Sequence, residues 1–399
     1  MKKILAINSG SSSFKYKLFN YPSEEVVAQG QAQRIGLAGA TFSLKLADGS
    51  KYESEIKIPD HKTAIQLLLT WLPKYNVIND LKEIAGIGHR VVAGGEIFSE
   101  SALIDKEKLQ QIYDLSDYAP LHNPYEADGI RDFMQLLPGV PQVAVFDTSF
   151  HHTLDPVHYL YSLPYKYYEK YRARKYGAHG TSVRYVSHRA AELLNKPLNE
   201  LKMIVCHLGN GASITAIKDG KSYDTSMGFS PVAGITMSTR SGDIDPSVLQ
   251  YVMKKENISD FNKMINILNN KSGILGISDY SPDMRDIRKR AAAGDVKAKL
   301  AKDIFVNRII KYIGSYYVDM GGLDALVFTA GIGENESLYR QAIVDKLSVL
   351  GLKIDEKANS VNGEKVISAV DSKAKILIIP TNEELVIARD VVRLAQINK

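Results

Sequence analysis

The sequence predicts an α/β protein built from two related lobes. Its 399 residues correspond to two domains at about 150 residues per domain. Hydrophobic residues make up 45% and charged residues 24% of the chain, a balance typical of a globular protein with a sizeable core. Strand-like and helix-like patterns alternate, which indicates mixed or parallel sheets covered by helices. A hairpin pattern near the N-terminus recurs from residue 204, which favours a duplicated architecture.

The two hairpins have small residues at their bends. Each reads as strand, turn and strand, over 4–7, 8–13 and 14–19 in the first and over 204–208, 209–213 and 214–217 in the second. Gly10 and Gly211 fall at equivalent places in the two patterns. Two unrelated hairpins would give the same local signal, so this feature alone leaves the duplication open.

The remaining elements alternate between helix and strand. The patterns predict a helix over 63–72, a buried strand over 143–146, a long helix with one apolar face from Phe305 to Tyr316, strands over 325–328 and 376–379, and a helix over 383–394 capped by Thr381 or Asn382.

Charge and cysteine content exclude several classes of protein. The chain carries 50 Lys and Arg against 45 Asp and Glu, a net charge of +5, and the two signs are interspersed. No basic tract for nucleic acid stands out, and no apolar run approaches the ~18 residues of a membrane span. Cys206 is the only cysteine, which favours a reducing cytoplasm. We interpret the adjacent pair His151 and His152 as structural, since neighbouring side chains point apart.

Three turns rich in Gly and Ser suggest a nucleotide site. They cover 9–13, 209–213 and 330–335, each directly after an apolar strand. Small side chains let backbone N–H groups approach phosphate oxygens. The P-loop pattern fails because residue 215 is Thr rather than Gly, and the dinucleotide-binding pattern fails because residue 214 is Ile.

Polar side chains at predicted strand ends are candidates for chemistry. His89 and Arg90 follow one apolar run, Asp147 follows another, and His179 and Arg240 lie in Gly- and Ser-containing segments. Phosphoryl transfer needs such cations, together with a carboxylate or amide for Mg²⁺. Each residue also has a structural interpretation, as a surface ion pair, a cap or a turn residue.

The order of these motifs resembles that of the acetokinase family, within the acetate and sugar kinase, heat-shock chaperone and actin superfamily. The matching segments are Asn8–Lys15, His89–Val92, Ala119–Pro124, Phe146–Thr148, His179–Ser182, Asp224–Phe229, Thr239–Pro246, Phe328–Asn335 and Pro380–Glu384.

The resemblance implies an α/β fold with duplicated actin-like, ribonuclease H-like sheets flanking a nucleotide cleft. It implies reversible transfer of a phosphoryl group from ATP to acetate, giving acetyl phosphate and ADP. The first lobe would comprise 1–150 and 383–399, with the first phosphate turn, Mg²⁺ and the acyl substrate. The second lobe, 151–382, would hold the second phosphate turn and adenosine.

The resemblance also implies roles for individual residues. The catalytic residues would be Arg90, Asp147, His179 and Arg240. The acyl pocket would be lined by Arg90, Val92, Leu121, Ala178 and Pro231. ATP would contact Ser11, Ser13, Lys15, His207, Leu208, Gly209, Asn210, Gly211, Asp283, Met284, Arg285, Gly331, Ile332, Gly333, Glu334 and Asn335. Asn8 and Glu383 would hold Mg²⁺, with Mn²⁺ as a substitute, directly or through water.

Elementary chemistry agrees with these roles. Acetate and the γ-phosphoryl group are both anions, so their approach needs cations rather than a strong base. Because a carboxylate nucleophile is already deprotonated, we expect Asp147 to position an arginine or the metal rather than to accept a proton.

The chain departs from the family pattern at four positions. Ala93, Ala178, Val183 and Ala233 replace the usual His, Phe, His and Glu. The change at 178 removes a ring from the acyl pocket, so we expect selection against longer acids to be relaxed. A propionate or butyrate kinase is therefore the alternative within the enzyme class. From another class, an ATP-driven conformational switch would make no acyl phosphate. The resemblance further implies a homodimer acting on small molecules, to which the Tyr-rich segment 159–171 could contribute.

Overall fold

The structure, a computed structural model, describes residues 1–120 and 122–398. Its strands, in chain order, are β1 (Lys3–Gly10), β2 (Ser13–Asn20), β3 (Val26–Gln33), β4 (Thr41–Leu46), β5 (Lys51–Glu55), β6 (Ile84–Val91), β7 (Ala102–Leu103), β8 (Gln142–Phe146), β9 (Met203–Leu208), β10 (Ala212–Lys218), β11 (Lys221–Thr225), β12 (Ala325–Thr329), β13 (Lys365–Val366) and β14 (Lys375–Ile378).

Its α-helices, in chain order, are α1 (His61–Lys74), α2 (Lys106–Asp114), α3 (Asn123–Leu136), α4 (Pro156–Tyr159), α5 (Lys166–Tyr171), α6 (Gly180–Leu194), α7 (Pro246–Lys255), α8 (Phe261–Asn270), α9 (Gly273–Ser278), α10 (Met284–Ala292), α11 (Val296–Met320), α12 (Ala330–Asn335), α13 (Ser337–Lys346), α14 (Glu356–Asn359) and α15 (Glu383–Leu394). Among residues 1–120 and 122–398, none of these helices has both the length and the apolar composition needed to cross a bilayer.

The chain divides into two compact units, each with one sheet. Unit 1 contains Met1–Ser149 and the C-terminal residues from Asn382, and unit 2 contains Phe150–Thr381. In unit 1 the strand order is β5-β4-β3-β2-β1-β6-β8-β7, and in unit 2 it is β11-β10-β9-β12-β14-β13.

The two sheets share one topology. In unit 1, β3, β2 and β1 form an antiparallel meander, and β6 and β8 add in parallel beside β1. In unit 2, β11, β10 and β9 form the same meander, and β12 and β14 add in parallel beside β9. The repeated order confirms the predicted α/β fold with duplicated sheets.

Helices cover both faces of the unit 1 sheet. On one face, Phe14 and Phe42 pack with Trp71 of α1 and Phe133 of α3. On the other face α15 lies directly on β6, because Gly88 has no side chain there: a Cβ would fall 2.3 Å from Ile387 of α15. This close approach fixes α15, whose first residue is the predicted metal ligand Glu383.

The predicted hairpins are present, but their turns are shorter than expected. Strand β1 continues to Gly10 and β2 begins at Ser13, so the first turn is only 11–12. The second turn is 209–211. Backbone pairing continues through the polar residues because an antiparallel ladder does not depend on side-chain hydrophobicity. Asn8 therefore lies within a strand, paired with Lys15.

The third predicted turn is wrong, since 330–335 forms the short helix α12. Arg340 of α13 is fully buried and donates hydrogen bonds to the carbonyls of Gly333 (2.8 Å) and Glu334 (3.0 Å). These contacts satisfy carbonyl groups at the end of α12 that no further turn of helix reaches. An arginine of the next helix thus supports a helix where the glycines indicate a turn.

The C-terminal helix agrees with its prediction. Helix α15 spans Glu383–Leu394, and its cap is Asn382, whose side chain accepts a hydrogen bond from the N–H of Leu385 (3.3 Å). The two other predicted helices are present and longer, as α1 and α11.

Candidate active site

In unit 1, neighbouring strands place Arg90 beside Asp147. Arg90 lies in β6 and Asp147 directly follows β8, its parallel neighbour. The N–H of Asp147 donates to the carbonyl of Val91 (2.9 Å), and this bond holds the loop that follows β8 against β6. Arg90 Nη2 then donates to Asp147 Oδ2 at 2.6 Å. The carboxylate is 1% exposed, so the ion pair is formed largely away from water, where its geometry is well defined.

A second carboxylate, Glu126 of α3, faces the same guanidinium. Its Oε1 lies 3.8 Å from Arg90 Nη1, and the residue is 1% exposed. Burial raises the pKa of the Glu126 carboxyl to about 8, although the charge of Arg90 opposes the shift. Sequence reasoning missed Glu126, because a single glutamate in a helix gives no signal that distinguishes it from a surface residue.

His89 and Arg90 were expected to follow a strand, but both lie within β6. Successive strand residues point to opposite faces. His89 accordingly is 2% exposed, and its Nε2 lies 2.8 Å from Gln142 Oε1. Burial lowers its pKa to about 4, so at neutral pH the ring is uncharged and part of the core.

Asn8 and Glu383 offer oxygen atoms suited to a hard cation. Burial and the neighbouring charge of Asp147 raise the pKa of the Glu383 carboxyl, so a positive ion near it would relieve this electrostatic cost. No cluster of three or more His, Cys, Asp or Glu that could hold a metal occurs among residues 1–120 and 122–398. The side-chain oxygens of Asn8 and Glu383 fit Mg²⁺, which is commonly held by one or two carboxylates together with water and phosphate.

In unit 2, His179 and Arg240 lie against the same turn. A Cβ on Gly211 would fall 3.1 Å from Arg240 Nη1 and 3.3 Å from His179 Nε2. His179 directly precedes α6, and Arg240 lies in the loop between β11 and α7. The glycine leaves room for both side chains beside the predicted second phosphate turn.

Hydrogen bonds and stacking orient His179. Its Nδ1 lies 3.0 Å from Ser213 Oγ, and its ring stacks on His207 with centroids 4.1 Å apart. His207 Nδ1 in turn lies 2.9 Å from Ser182 Oγ. Nδ1 is thus next to a serine, and Nε2 is the ring nitrogen on the side of Gly211.

The predicted adenosine segments are in unit 2 around α10 and α12. Asp283 caps α10 and its carboxylate pairs with Arg285, Oδ2 to Nη2 being 2.6 Å. Glu334 Oε1 accepts a hydrogen bond from the N–H of Thr381 (3.1 Å). The side chains of Met284 and Leu208 are buried in the core of unit 2.

The predicted acyl-pocket residues are distributed over both units. Val92 is 5% exposed in unit 1, and Ala178 is 4% exposed within the core of unit 2. Pro231 lies in the loop that follows β11. Leu121 lies outside the described residues.

The remaining predicted phosphate contacts lie at the two hairpin turns. Ser11 and Lys15 are exposed and Ser13 is half-buried. Asn210 is held by Ser238, whose N–H donates to the Asn210 carbonyl (3.2 Å). Gly331, Ile332, Gly333, Glu334 and Asn335 belong to α12 rather than to a loop. The predicted structural role of His151 is confirmed, since its ring nitrogens lie 2.8 Å from Ser222 Oγ and 2.9 Å from the Ala178 carbonyl oxygen.

Comparison with known proteins agrees with the resemblance found in the sequence. The model of the Acetokinase family matches residues 3–389. The chain is 54% identical over 395 residues to an acetate kinase of Limosilactobacillus fermentum, covering 99% of each chain. Among solved structures, an acetate kinase of Porphyromonas gingivalis matches with TM-score 0.94 and 42% identity, and a propionate kinase of Francisella tularensis with TM-score 0.93 and 43% identity. Both matches cover 99% of this chain and 100% of the other. The chain therefore belongs to the acetokinase family.

Proposed function

We propose that this protein transfers a phosphoryl group reversibly between ATP and acetate, giving acetyl phosphate and ADP. The observation that carries the proposal is the 54% identity to an acetate kinase over 99% of both chains. Arg90 in one unit and Arg240 with His179 in the other are side chains of the kind that stabilise anions in a reaction between two anions.

Arg90 is the proposed clamp for the substrate carboxylate. Asp147 fixes one end of its guanidinium, at 2.6 Å, and so restricts the directions in which Arg90 can donate. Asp147 acts as a positioning residue, since acetate needs no base to become a nucleophile. Arg240 and the Nε2 of His179 would donate to the transferring phosphoryl group, whose charge they stabilise.

Unit 1 is proposed to carry the acyl substrate and Mg²⁺, and unit 2 the nucleotide. Asn8 and Glu383 would hold the ion, directly or through water, and Lys15 with the serines of the first turn would face phosphate. The ion, when bound, neutralises charge on the phosphate oxygens. Chelation of Mg²⁺ should abolish activity, and Mn²⁺ should restore part of it.

We further propose that the protein is a cytoplasmic homodimer. Size-exclusion chromatography with light scattering measures the mass of the particle and so tests the dimer.

A preference for a longer acid is the second candidate. It is favoured by Ala178, which stands where the resemblance places a phenylalanine, and by the similarity to a propionate kinase at 43% identity. The test of both candidates is an initial-rate panel with acetate, propionate and butyrate, ATP and Mg²⁺, trapping acyl phosphate as hydroxamate. The highest kcat/KM identifies the substrate. No acyl phosphate with any short carboxylate would overturn the proposal and favour an ATP-driven switch.

A further inference from the structure

The backbone that follows β6 is held by side chains rather than by a neighbouring strand. Three successive N–H groups, of Val92, Ala93 and Gly94, donate to Glu126 Oε2 (2.9 Å), Asn123 Oδ1 (3.0 Å) and Thr148 Oγ1 (3.0 Å). Asn123 also donates from Nδ2 to the carbonyl of Ala93 (2.9 Å). Loss of any one acceptor would leave a buried N–H without a partner, so the position of this segment depends on these side chains.

All three acceptors are buried and come from two elements. Asn123 is unexposed, Glu126 is 1% exposed and Thr148 is 6% exposed. Asn123 and Glu126 stand three residues apart at the start of α3, so they lie on one face of the helix. Buried polar groups of this kind confer a single defined geometry when their bonds are complete.

Glu126 also connects the segment with the guanidinium of Arg90. One carboxyl oxygen accepts from Val92, and the other, Oε1, lies 3.8 Å from Arg90 Nη1. Among residues 1–120 and 122–398, Oε1 has no hydrogen-bond partner although it is fully buried. The Glu126 side chain therefore contacts both Val92, which is the proposed wall of the acyl pocket, and Arg90, which is the proposed clamp for the substrate carboxylate.

We propose that Asn123 and Glu126 are positioning residues that determine acyl-chain specificity. They hold the wall residue Val92 at a fixed distance from Arg90, and this distance limits the length of the chain that fits beside the bound carboxylate. The inference rests on the proposed function. It differs from a role in folding alone because relaxing the wall must change the discrimination between substrates, not only the amount of active enzyme.

The test compares variants by the ratio of kcat/KM for propionate to that for acetate. This ratio is independent of the fraction of folded enzyme, so it separates positioning from stability. Asn123→Ala, which removes both bonds to Ala93, should raise the ratio at least threefold and raise KM for acetate more than KM for ATP. Asn123→Asp keeps the acceptor for the Ala93 N–H but loses the donor to the Ala93 carbonyl, so its ratio should lie between those of wild type and Asn123→Ala.

Glu126→Gln extends the test if Asn123→Ala does not fold. The amide keeps an acceptor for Val92 but places an NH2 group, which cannot accept from a guanidinium, where Glu126 Oε1 faces Arg90. KM for acetate should therefore change at least threefold while KM for ATP stays within twofold. Asp132→Asn is the matched control, since Asp132 is a buried carboxylate of the same helix that contacts Arg131 instead. The propionate-to-acetate ratio of kcat/KM should be the same in Asp132→Asn as in wild type.

Unchanged ratios and unchanged acetate KM in the Asn123 and Glu126 variants, with lower total activity only, would overturn the inference. Wild-type enzyme assayed beside them tests the underlying function separately. If the wild type forms no acyl phosphate, the proposed function fails; if it does and the ratios do not move, only the positioning role fails.

Discussion

Gly211 and Arg240 approach each other so closely that a side chain on the glycine would crowd the guanidinium. A Cβ on Gly211 would lie 3.1 Å from Arg240 Nη1, nearer than ordinary van der Waals contact between carbon and nitrogen. The backbone of this turn can therefore approach a group bound by Arg240, as expected of a phosphate-binding turn.

Gly211→Ala should lower kcat by about tenfold to a hundredfold, because the new methyl group must displace Arg240 or His179 by a few tenths of an ångström or more. Thermal unfolding and the kinetics of acetyl phosphate formation together check this. Gly314→Ala is the control: that glycine lies in α11 and a Cβ there would meet nothing within 4 Å, so both activity and folding should be retained. Wild-type kcat in Gly211→Ala would show that Arg240 and His179 tolerate displacement.

Asp147→Asn should lower kcat by about a hundredfold while the enzyme still folds. The amide oxygen can still accept from Arg90, but the charge that fixes the guanidinium is lost. KM for acetate should rise more than KM for ATP, and the pH profile of kcat should keep its shape, because no proton is transferred to Asp147. Nearly full kcat in this variant would remove even the positioning role.

Local signals predicted the C-terminal helix correctly and α12 incorrectly, and the two cases differ in the kind of interaction that stabilises each helix. The cap Asn382 and the apolar positions of α15 are neighbours in sequence, so the pattern contains the information. Helix α12 depends on Arg340, whose contacts with its carbonyls are visible only once α13 has packed. The two hairpin patterns in the sequence indicated a duplicated sheet, and the strand order of the two sheets established it.

The candidate site was found through motifs, and the residues that hold it in place were not. Arg90 and Asp147 were predicted as functional residues from separate motifs, and the structure joins them in an ion pair. Glu126 was missed because its role arises from contacts with Val92 and Arg90, in another element. His89 was grouped with Arg90 by adjacency, although alternation along β6 sends the two side chains to opposite faces.

Ala178→Phe should shift specificity toward acetate. Each methylene contributes about 0.8 kcal/mol of burial, so we expect the ratio of kcat/KM for acetate to that for propionate to rise several-fold, and more for butyrate. Ala178 is 4% exposed in the core of unit 2, so overpacking should also cost about 1–3 kcal/mol of stability. Ala178→Val should give an intermediate ratio. Ratios that do not move would refute the role of this position.

Glu126→Gln should become more stable relative to wild type as the pH rises from 5 to 8. The pKa of Glu126 is raised from 4.5 to about 8 in the folded protein by burial, against the charge of Arg90, with a further contribution from Asp147. Between these values the folded protein keeps a proton that the unfolded chain has released. Stability therefore falls with rising pH, by up to about 1.4 kcal/mol per pH unit for this group, and the amide avoids that loss.

Urea unfolding midpoints at each pH measure the difference between Glu126→Gln and wild type. Glu107→Gln, which alters an exposed carboxylate of α2, serves as the control for the loss of a surface carboxylate. A constant difference for Glu126→Gln would mean that Glu126 is ionised throughout in the folded protein.

Arg340→Met should destabilise the protein and weaken nucleotide binding together. Arg340 is fully buried and donates to Asn359 and to the carbonyls of Gly333 and Glu334. Each buried acceptor left without a partner costs about 1–3 kcal/mol. We therefore expect the free energy of unfolding to fall by at least about 3 kcal/mol and Tm to fall by roughly 6–12 °C.

Because α12 matches a segment proposed to line adenosine, Arg340→Met should raise KM for ATP more than KM for acetate. Replacement of the exposed Arg308 of α11 by Met is the control and should change neither Tm nor KM for ATP. An Arg340→Met enzyme with lower Tm but unchanged KM for ATP would place the nucleotide away from α12.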